Sequence, residues 1–194
     1  PDDFKYLAVI ESGLLNVTSP SGAKGFWQIM PATAKEYGLE VNENVDERNH
    51  LEKSTEAACK YFLKAYEKFG SWSLVAGSYN AGMSGITKVQ EIQKSSSYYD
   101  LYLNTETSRY VPRIVATKEI MTNSKKYGFL YDQEDLYTLA PVKKVEVEIE
   151  LPSLADFSAE HGASYKDLKI LNPWLMEPKL NNKSGKKYII DLPK

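Results

Sequence analysis

The sequence predicts a mainly α-helical domain followed by a small β-α-α-β unit, and three observations carry that expectation. From Phe4 to Leu151 the apolar residues recur mostly at helical spacing, with Gly and Pro between short segments. From Val145 the period changes to two, as in a half-buried strand. The chain has 194 residues, 42% of them hydrophobic and 26% charged, enough for one domain of roughly 100–150 residues plus a small module.

Candidate helices run near 3–12, 31–37, 54–69, 72–80, 84–94 and 108–125, each bounded by a Ser, Thr, Asn, Pro or Gly that fits a cap or a stop. For the last of these, Thr107 or Ser108 is the expected N-cap, with Pro112 in the first turn. Residues 129–141 lose the period and read as a connector that packs on its neighbours. Val145, Val147, Ile149 and Leu151 then alternate with Glu146, Glu148 and Glu150 as a first strand. Two short helical patterns follow, Ser153–Glu160 and Tyr165–Leu171, and Tyr188–Leu192 closes the unit as a second strand. The expected division is 1–128, 129–141 and 142–194.

Composition excludes several functions. A net charge of −2 offers no basic excess for phosphates, so nucleic-acid binding is not expected. Cys59 is the only cysteine, read as a buried helical thiol, and His50 and His161 are far apart, so neither a metal nor another cofactor is implied. The chemistry must run on carboxylates, hydroxyls and amides. No apolar run is long enough to span a membrane. The chain opens at Pro1-Asp2-Asp3 rather than at methionine, which favours a targeting segment removed ahead of it.

On the first helix, Phe4, Leu7, Ala8 and Leu14 share a face, and Glu11 falls in its middle. Burial raises a carboxyl pKa, which suits a proton donor; a satisfied structural acid is the commoner reason for such a placement. Glu11-Ser12-Gly13 is followed by a loop, Ser19-Pro20-Ser21-Gly22-Ala23-Lys24-Gly25, whose small residues let backbone approach a ligand. Phe26-Trp27-Gln28-Ile29-Met30-Pro31 comes next. Trp27 and Met30 offer an apolar wall or plain core packing, and Gln28 an amide able to orient sugar hydroxyls. Ser78-Tyr79-Asn80-Ala81-Gly82 ends a helical pattern, and Glu106-Thr107-Ser108-Arg109-Tyr110-Val111-Pro112 opens the last long helix.

Four blocks in this order, Glu11-Ser12, Gly25–Pro31, Tyr79–Gly82 and Glu106-Thr107 with Tyr110-Val111-Pro112, resemble the catalytic domain of family 1 lytic transglycosylases. The likeness is to the membrane-bound D type, because Trp27 replaces a commoner Met and Asp46-Glu47-Arg48 follows; Ser78 stands where Ala is usual. The resemblance implies a goose-type lysozyme-like fold with a saccharide groove and Glu11 as sole catalytic acid and base. It further implies that Ser19, Gln28, Met30, Tyr79, Asn80, Glu106 and Tyr110 line or organise that groove, with Gln28, Tyr79 and Tyr110 foremost. Asp46, Glu47 and Arg48 are expected to brace a loop. The implied reaction cuts the β-1,4 bond between N-acetylmuramic acid and N-acetylglucosamine and closes a 1,6-anhydro ring. Two rivals stand beside it: a muramidase that uses water and Asp46, Glu47 or Glu106 as second carboxylate, and a non-catalytic glycan binder.

The tail resembles a degenerate LysM module, most tellingly at Leu171-Asn172-Pro173, with Leu151-Pro152-Ser153-Leu154 in place of the usual Gly-Asp-Thr-Leu turn. Glycan binding and packing against the helical domain are both open to it. The resemblance implies peptidoglycan glycan strands as the partner, a monomer, and a place in the envelope of a Gram-negative bacterium. There the protein would be periplasmic or lipid-anchored to the outer membrane through a segment outside this sequence.

Overall fold

The computed structural model describes residues 1–194 and is mostly helical, with one two-stranded sheet. A single 3-10 turn, Asp2–Phe4, leads into α1 (Lys5–Ser12), which stops because Gly13 and Leu14 both turn left-handed. After a long loop come α2 (Pro31–Glu36), α3 (Leu51–Phe69), α4 (Trp72–Ala81), α5 (Met83–Gln93) and α6 (Thr105–Thr122). Leu74, Val75, Ala76, Gly77 and Ser78 are all buried, so α4 lies inside the bundle, with α3, α5 and α6 packed against it and α1 packed on α6. A Cβ at Gly77 would stand 2.9 Å from the Tyr98 ring, which requires glycine at that crossing. Ala57, Ala58, Phe62 and Ala65 form the buried stripe of α3. Cys59 lies off that stripe and is exposed, contrary to its expected burial.

Two helix starts differ from their sequence signals. α3 begins a turn early, at Leu51. α6 begins at Thr105 because Asn104, in extended backbone, accepts from the Thr107 N–H and caps it. Pro112 is therefore inside the helix rather than in its first turn, on an exposed side where water can reach the Ser108 carbonyl left without an amide partner. The connector does not pack: Leu130, Tyr137 and Leu139 are 79%, 105% and 94% exposed.

The tail is built from β1 (Val142–Val147), α7 (Leu154–Glu160), α8 (Tyr165–Leu171) and β2 (Tyr188–Pro193). The strands pair antiparallel, with Val145 opposite Ile190 and Val147 opposite Tyr188. The apolar alternation runs on to Leu151, but β2 offers no residue beyond Tyr188. The strand therefore ends at Val147, and Ile149 is 69% exposed. Leu151 instead exchanges backbone hydrogen bonds with Leu180 at 2.9 and 2.8 Å. The buried Asn172 side chain donates to the Leu168 and Asp191 carbonyls and accepts from the Asp191 N–H, which pins the end of α8 to β2.

The tail's core also holds Val45, which comes from the loop between α2 and α3 and is 1% exposed. Around it that loop runs as a strand would along residues 174–176. The Asp46 N–H donates to the Trp174 carbonyl and the Met176 N–H to the Asn44 carbonyl, both at 2.9 Å. Glu40 accepts from Lys186 at 2.5 Å and from the Tyr188 hydroxyl, and the His50 ring stacks on Trp174. The two cores are therefore joined through shared packing and paired backbone, and the packing role weighed for the tail is realised. Heating should give one cooperative unfolding transition, and Val45→Ala should lower stability by about 1–3 kcal/mol across that whole transition. Two transitions in calorimetry, with only the first affected by Val45→Ala, would contradict the coupling.

Candidate active site

Three helices converge on Glu11. α1 carries it one residue before the helix ends, on the side where Leu7 and Ala8 enter the core. Phe4 packs partly on that core, but Leu14, placed by sequence on the same face, is 49% exposed because the helix has ended. Glu11 itself is half-buried. α6 brings Tyr110, 1% exposed, whose hydroxyl donates to Glu11 Oε1. α4 brings Tyr79, whose hydroxyl donates to the Trp27 carbonyl at 2.7 Å.

Burial is the largest influence on Glu11 and raises its pKa above the ordinary glutamate value. The Tyr110 hydrogen bond and the Arg113 guanidinium pull the other way, and Glu106 adds to the rise. The Tyr110 and Tyr79 phenols are pushed well above the usual tyrosine value, by burial first and then by the Glu11 charge. Both stay protonated and serve as fixed donors. Tyr110 is thus a permanent hydrogen-bond donor to a carboxyl that can cycle between its two protonation states.

The loop after α1 is held in place from behind. Ser12 Oγ donates to the Phe26 carbonyl at 2.8 Å, tying the end of α1 to the loop's far side. Gln28 adopts φ +48° and donates its side-chain amide to the Gly25 and Val17 carbonyls at 2.8 and 3.0 Å, so its amino group is spent on backbone. Ser19 closes the Ser19–Ala23 turn, accepting from the Ala23 N–H at 3.0 Å. Arg48 grips the loop at two points, donating to the Gly22 carbonyl at 2.8 Å and the Ile29 carbonyl at 3.2 Å. Its other edge makes a forked pair with Asp46 at 2.9 and 2.7 Å, and Lys24 adds a second cation at 3.1 Å. A side chain at Gly25 would overlap the Arg48 carbonyl oxygen, so that position must be glycine.

Trp27 is 7% exposed, donates to Thr55 Oγ1 at 2.8 Å and packs edge-on against Phe62, so of its two sequence readings the core one holds. Met30 is 42% exposed at the start of α2, without a polar tie to Glu11. Asn80 lies in the last turn of α4, which Gly82 ends; it donates to Glu106 at 2.9 Å and accepts from the Thr107 hydroxyl at 2.8 Å, joining α4 to the first turn of α6. Glu11, Tyr79, Asn80, Glu106 and Tyr110 therefore form one cluster. Ser19 and Gln28 shape the loop beside it. Arg113 was missed from sequence, and Ser12, named only within the Glu11-Ser12 motif, was given no role of its own. Arg113 falls three residues after Tyr110 on the same helix stripe, a spacing that could have flagged it. No group of three or more His, Cys, Asp or Glu is placed to hold a metal ion, and no helix is long and apolar enough to cross a membrane.

Residues 1–102 match the family described as Transglycosylase SLT domain. The chain belongs to that family. Residues 143–194 match the Soluble lytic transglycosylase C-terminal LysM-like domain. Among curated relatives, the membrane-bound lytic murein transglycosylase D of Escherichia coli K12 and that of Escherichia coli O6:H1 are each 31% identical over 196 residues. The alignment takes in 98% of this chain but 42% of each relative, so the chain spans less than half of their length. Among solved structures, the 70 kDa soluble lytic transglycosylase SLT70 of Escherichia coli shares the fold. It has a TM-score of 0.52 at 23% identity, over 60% of this chain and 21% of that one.

Because ionising Glu11 is costlier in the fold than in the unfolded chain, its effect on stability has a definite sign. The penalty is absent at acid pH and grows as pH rises through the raised pKa. Glu11→Gln should therefore raise Tm near pH 7, with the gain vanishing below the ordinary glutamate range. A variant less stable than the parent at pH 7 would show that the ionised carboxylate is well satisfied.

Proposed function

We propose that this chain is the catalytic part of a lytic transglycosylase. It cleaves the β-1,4 bond between N-acetylmuramic acid and N-acetylglucosamine in peptidoglycan and leaves 1,6-anhydro-muramyl ends, with Glu11 as single acid and base. The observation that carries this reading is one half-buried carboxyl, its pKa raised and its anion met by the Tyr110 hydroxyl, in a chain of the SLT family. In this reading residues 1–128 form the catalytic domain, 129–141 a connector and 142–194 a LysM-like module.

Hydrolysis of a glycosidic bond ordinarily takes two carboxyl groups. Of the three that could join Glu11, Asp46 and Glu47 are buried and paired, Asp46 with Arg48 and Lys24, Glu47 with Lys53 at 2.5 Å. Glu106 is exposed and engaged by Asn80. One acid suffices if the second nucleophile comes from the substrate. Protonated Glu11 gives its proton to the glycosidic oxygen as the bond breaks, and the resulting carboxylate takes the proton of the sugar's own C6 hydroxyl as that oxygen closes on the anomeric carbon. The hydroxyl is tethered beside the reacting carbon, which makes ring closure competitive with attack by water. Tyr110 steadies the carboxylate between the two transfers, and Tyr79 fixes the Trp27 carbonyl and with it the loop. Ser19, Gln28, Met30, Asn80 and Glu106 border the groove in which the glycan lies.

Peptidoglycan lies in the cell envelope, and the relatives named as membrane-bound murein transglycosylases come from Gram-negative Escherichia coli. A periplasmic or outer-membrane-anchored monomer fits that setting. Digestion of purified peptidoglycan should release muropeptides one water lighter than the hydrolytic ones, detected by mass spectrometry. Glu11→Gln should lower their yield at least 10³-fold. Reducing-end products would instead assign a muramidase, and undiminished release by Glu11→Gln would remove Glu11 from the chemistry.

A further inference from the structure

Lysine carries most of this chain's positive charge: of 24 basic side chains only Arg48, Arg109 and Arg113 are arginine. Arg48 is the buried brace behind the loop. The other two stand one turn apart on α6 and, with Thr105 and Glu106, line a concavity of about 400 Å³. That concavity opens beside the candidate acid. Arg113 donates to the carbonyl of Ile10, the residue before Glu11, at 3.2 Å, and Tyr110, between the two arginines, donates to Glu11 itself. The chain's one arginine ion pair is Arg48 with Asp46, so both guanidiniums here lack a carboxylate partner. Glu106 is the only acid in the concavity and is engaged by Asn80. Two positive charges against one leave a net positive hollow on a chain whose net charge is −2.

Guanidinium differs from ammonium in presenting a flat fork of N–H donors that matches the two oxygens of a carboxylate. A chain that uses lysine for nearly all its exposed positive charge has its two exposed arginines together, unpaired, at the edge of the groove. We infer that Arg109 and Arg113 form a carboxylate-binding site beside Glu11 that reads the acidic groups of a muramyl residue. The inference rests on the peptidoglycan reading above and names what sets that substrate apart from a neutral glycan of the same backbone. Two sources offer the same chemistry: the lactyl carboxylate of a muramic acid without its peptide, and the carboxylates of an attached stem peptide.

The test is calorimetric binding to the full chain carrying Glu11→Gln, which keeps the strands intact. Three soluble glycan preparations are compared: peptide-bearing strands, peptide-stripped strands with free lactyl carboxylates, and stripped strands whose carboxyls have been reduced to alcohols. Adding Arg109→Gln should weaken binding of a carboxylate-bearing preparation about tenfold, leave the reduced strands unchanged, and be only partly repaired by Arg109→Lys. Loss confined to peptide-bearing strands assigns the peptide carboxylates, and loss on stripped strands assigns the lactyl group. If Arg109→Gln and Arg113→Gln change binding of all three preparations equally, or of none, the site does not read carboxylates. Cleavage by the parent chain, followed in parallel, reports on the peptidoglycan reading separately. Normal cleavage without arginine dependence overturns this inference alone, whereas absence of both binding and cleavage overturns both.

Discussion

The buried pair of Asp46 and Arg48 is the interaction on which the rest of the structure depends. Both side chains are nearly out of solvent, so the desolvation cost is large, and it is offset only because each of the three nitrogens of the Arg48 fork has a partner. Those partners lie on different parts of the chain. Gly22 and Ile29 belong to the loop beside Glu11, while the Asp46 backbone pairs with Trp174 in the tail. One ion pair thus fixes the loop that borders the groove and seats the strand-like segment that carries Val45 into the second core. Loss of either partner would leave a buried charge uncompensated, and both ends of the molecule would feel it.

A second constraint acts on Glu11 itself. Helix α1 must end immediately after it so that the chain can turn into the loop, and Gly13 and Leu14 achieve this with consecutive left-handed residues. Ser12 then ties the frayed end to the Phe26 carbonyl. Burial alone would leave the carboxylate too poorly solvated to form readily once its proton has left. The Tyr110 hydroxyl and the Arg113 charge oppose that burial, and the balance still favours the protonated form over that of a free glutamate. A group that must both give and take a proton needs this intermediate poise.

The helical class, the β-α-α-β tail and the cluster of Glu11, Tyr79, Asn80, Glu106 and Tyr110 were legible because they rest on local periodicity and on an ordered set of short motifs. What escaped depends on long-range pairing. Nothing in the alternation of Val145 to Leu151 says that its partner stops at Tyr188, so Ile149 was misplaced. The side-chain amide of Gln28, an attractive ligand for sugar hydroxyls on composition, is turned onto backbone by a positive φ that no pattern announces. Val45 gives no sign in sequence that it belongs to a core built 100 residues further on. Residues 129–141, read as a connector that packs on its neighbours, carry no periodic face to bury, and Leu130, Tyr137 and Leu139 lie open to solvent.

The central claim is that a single carboxyl, poised by burial against one fixed hydroxyl donor, carries out both proton transfers. Its most direct test is a carbon-detected NMR titration of the Glu11 side-chain carboxyl in the intact chain. A midpoint above that of an exposed glutamate is the predicted result. A midpoint at or below the ordinary value would mean that Glu11 is already ionised under working conditions, and the proton donor would have to be sought elsewhere.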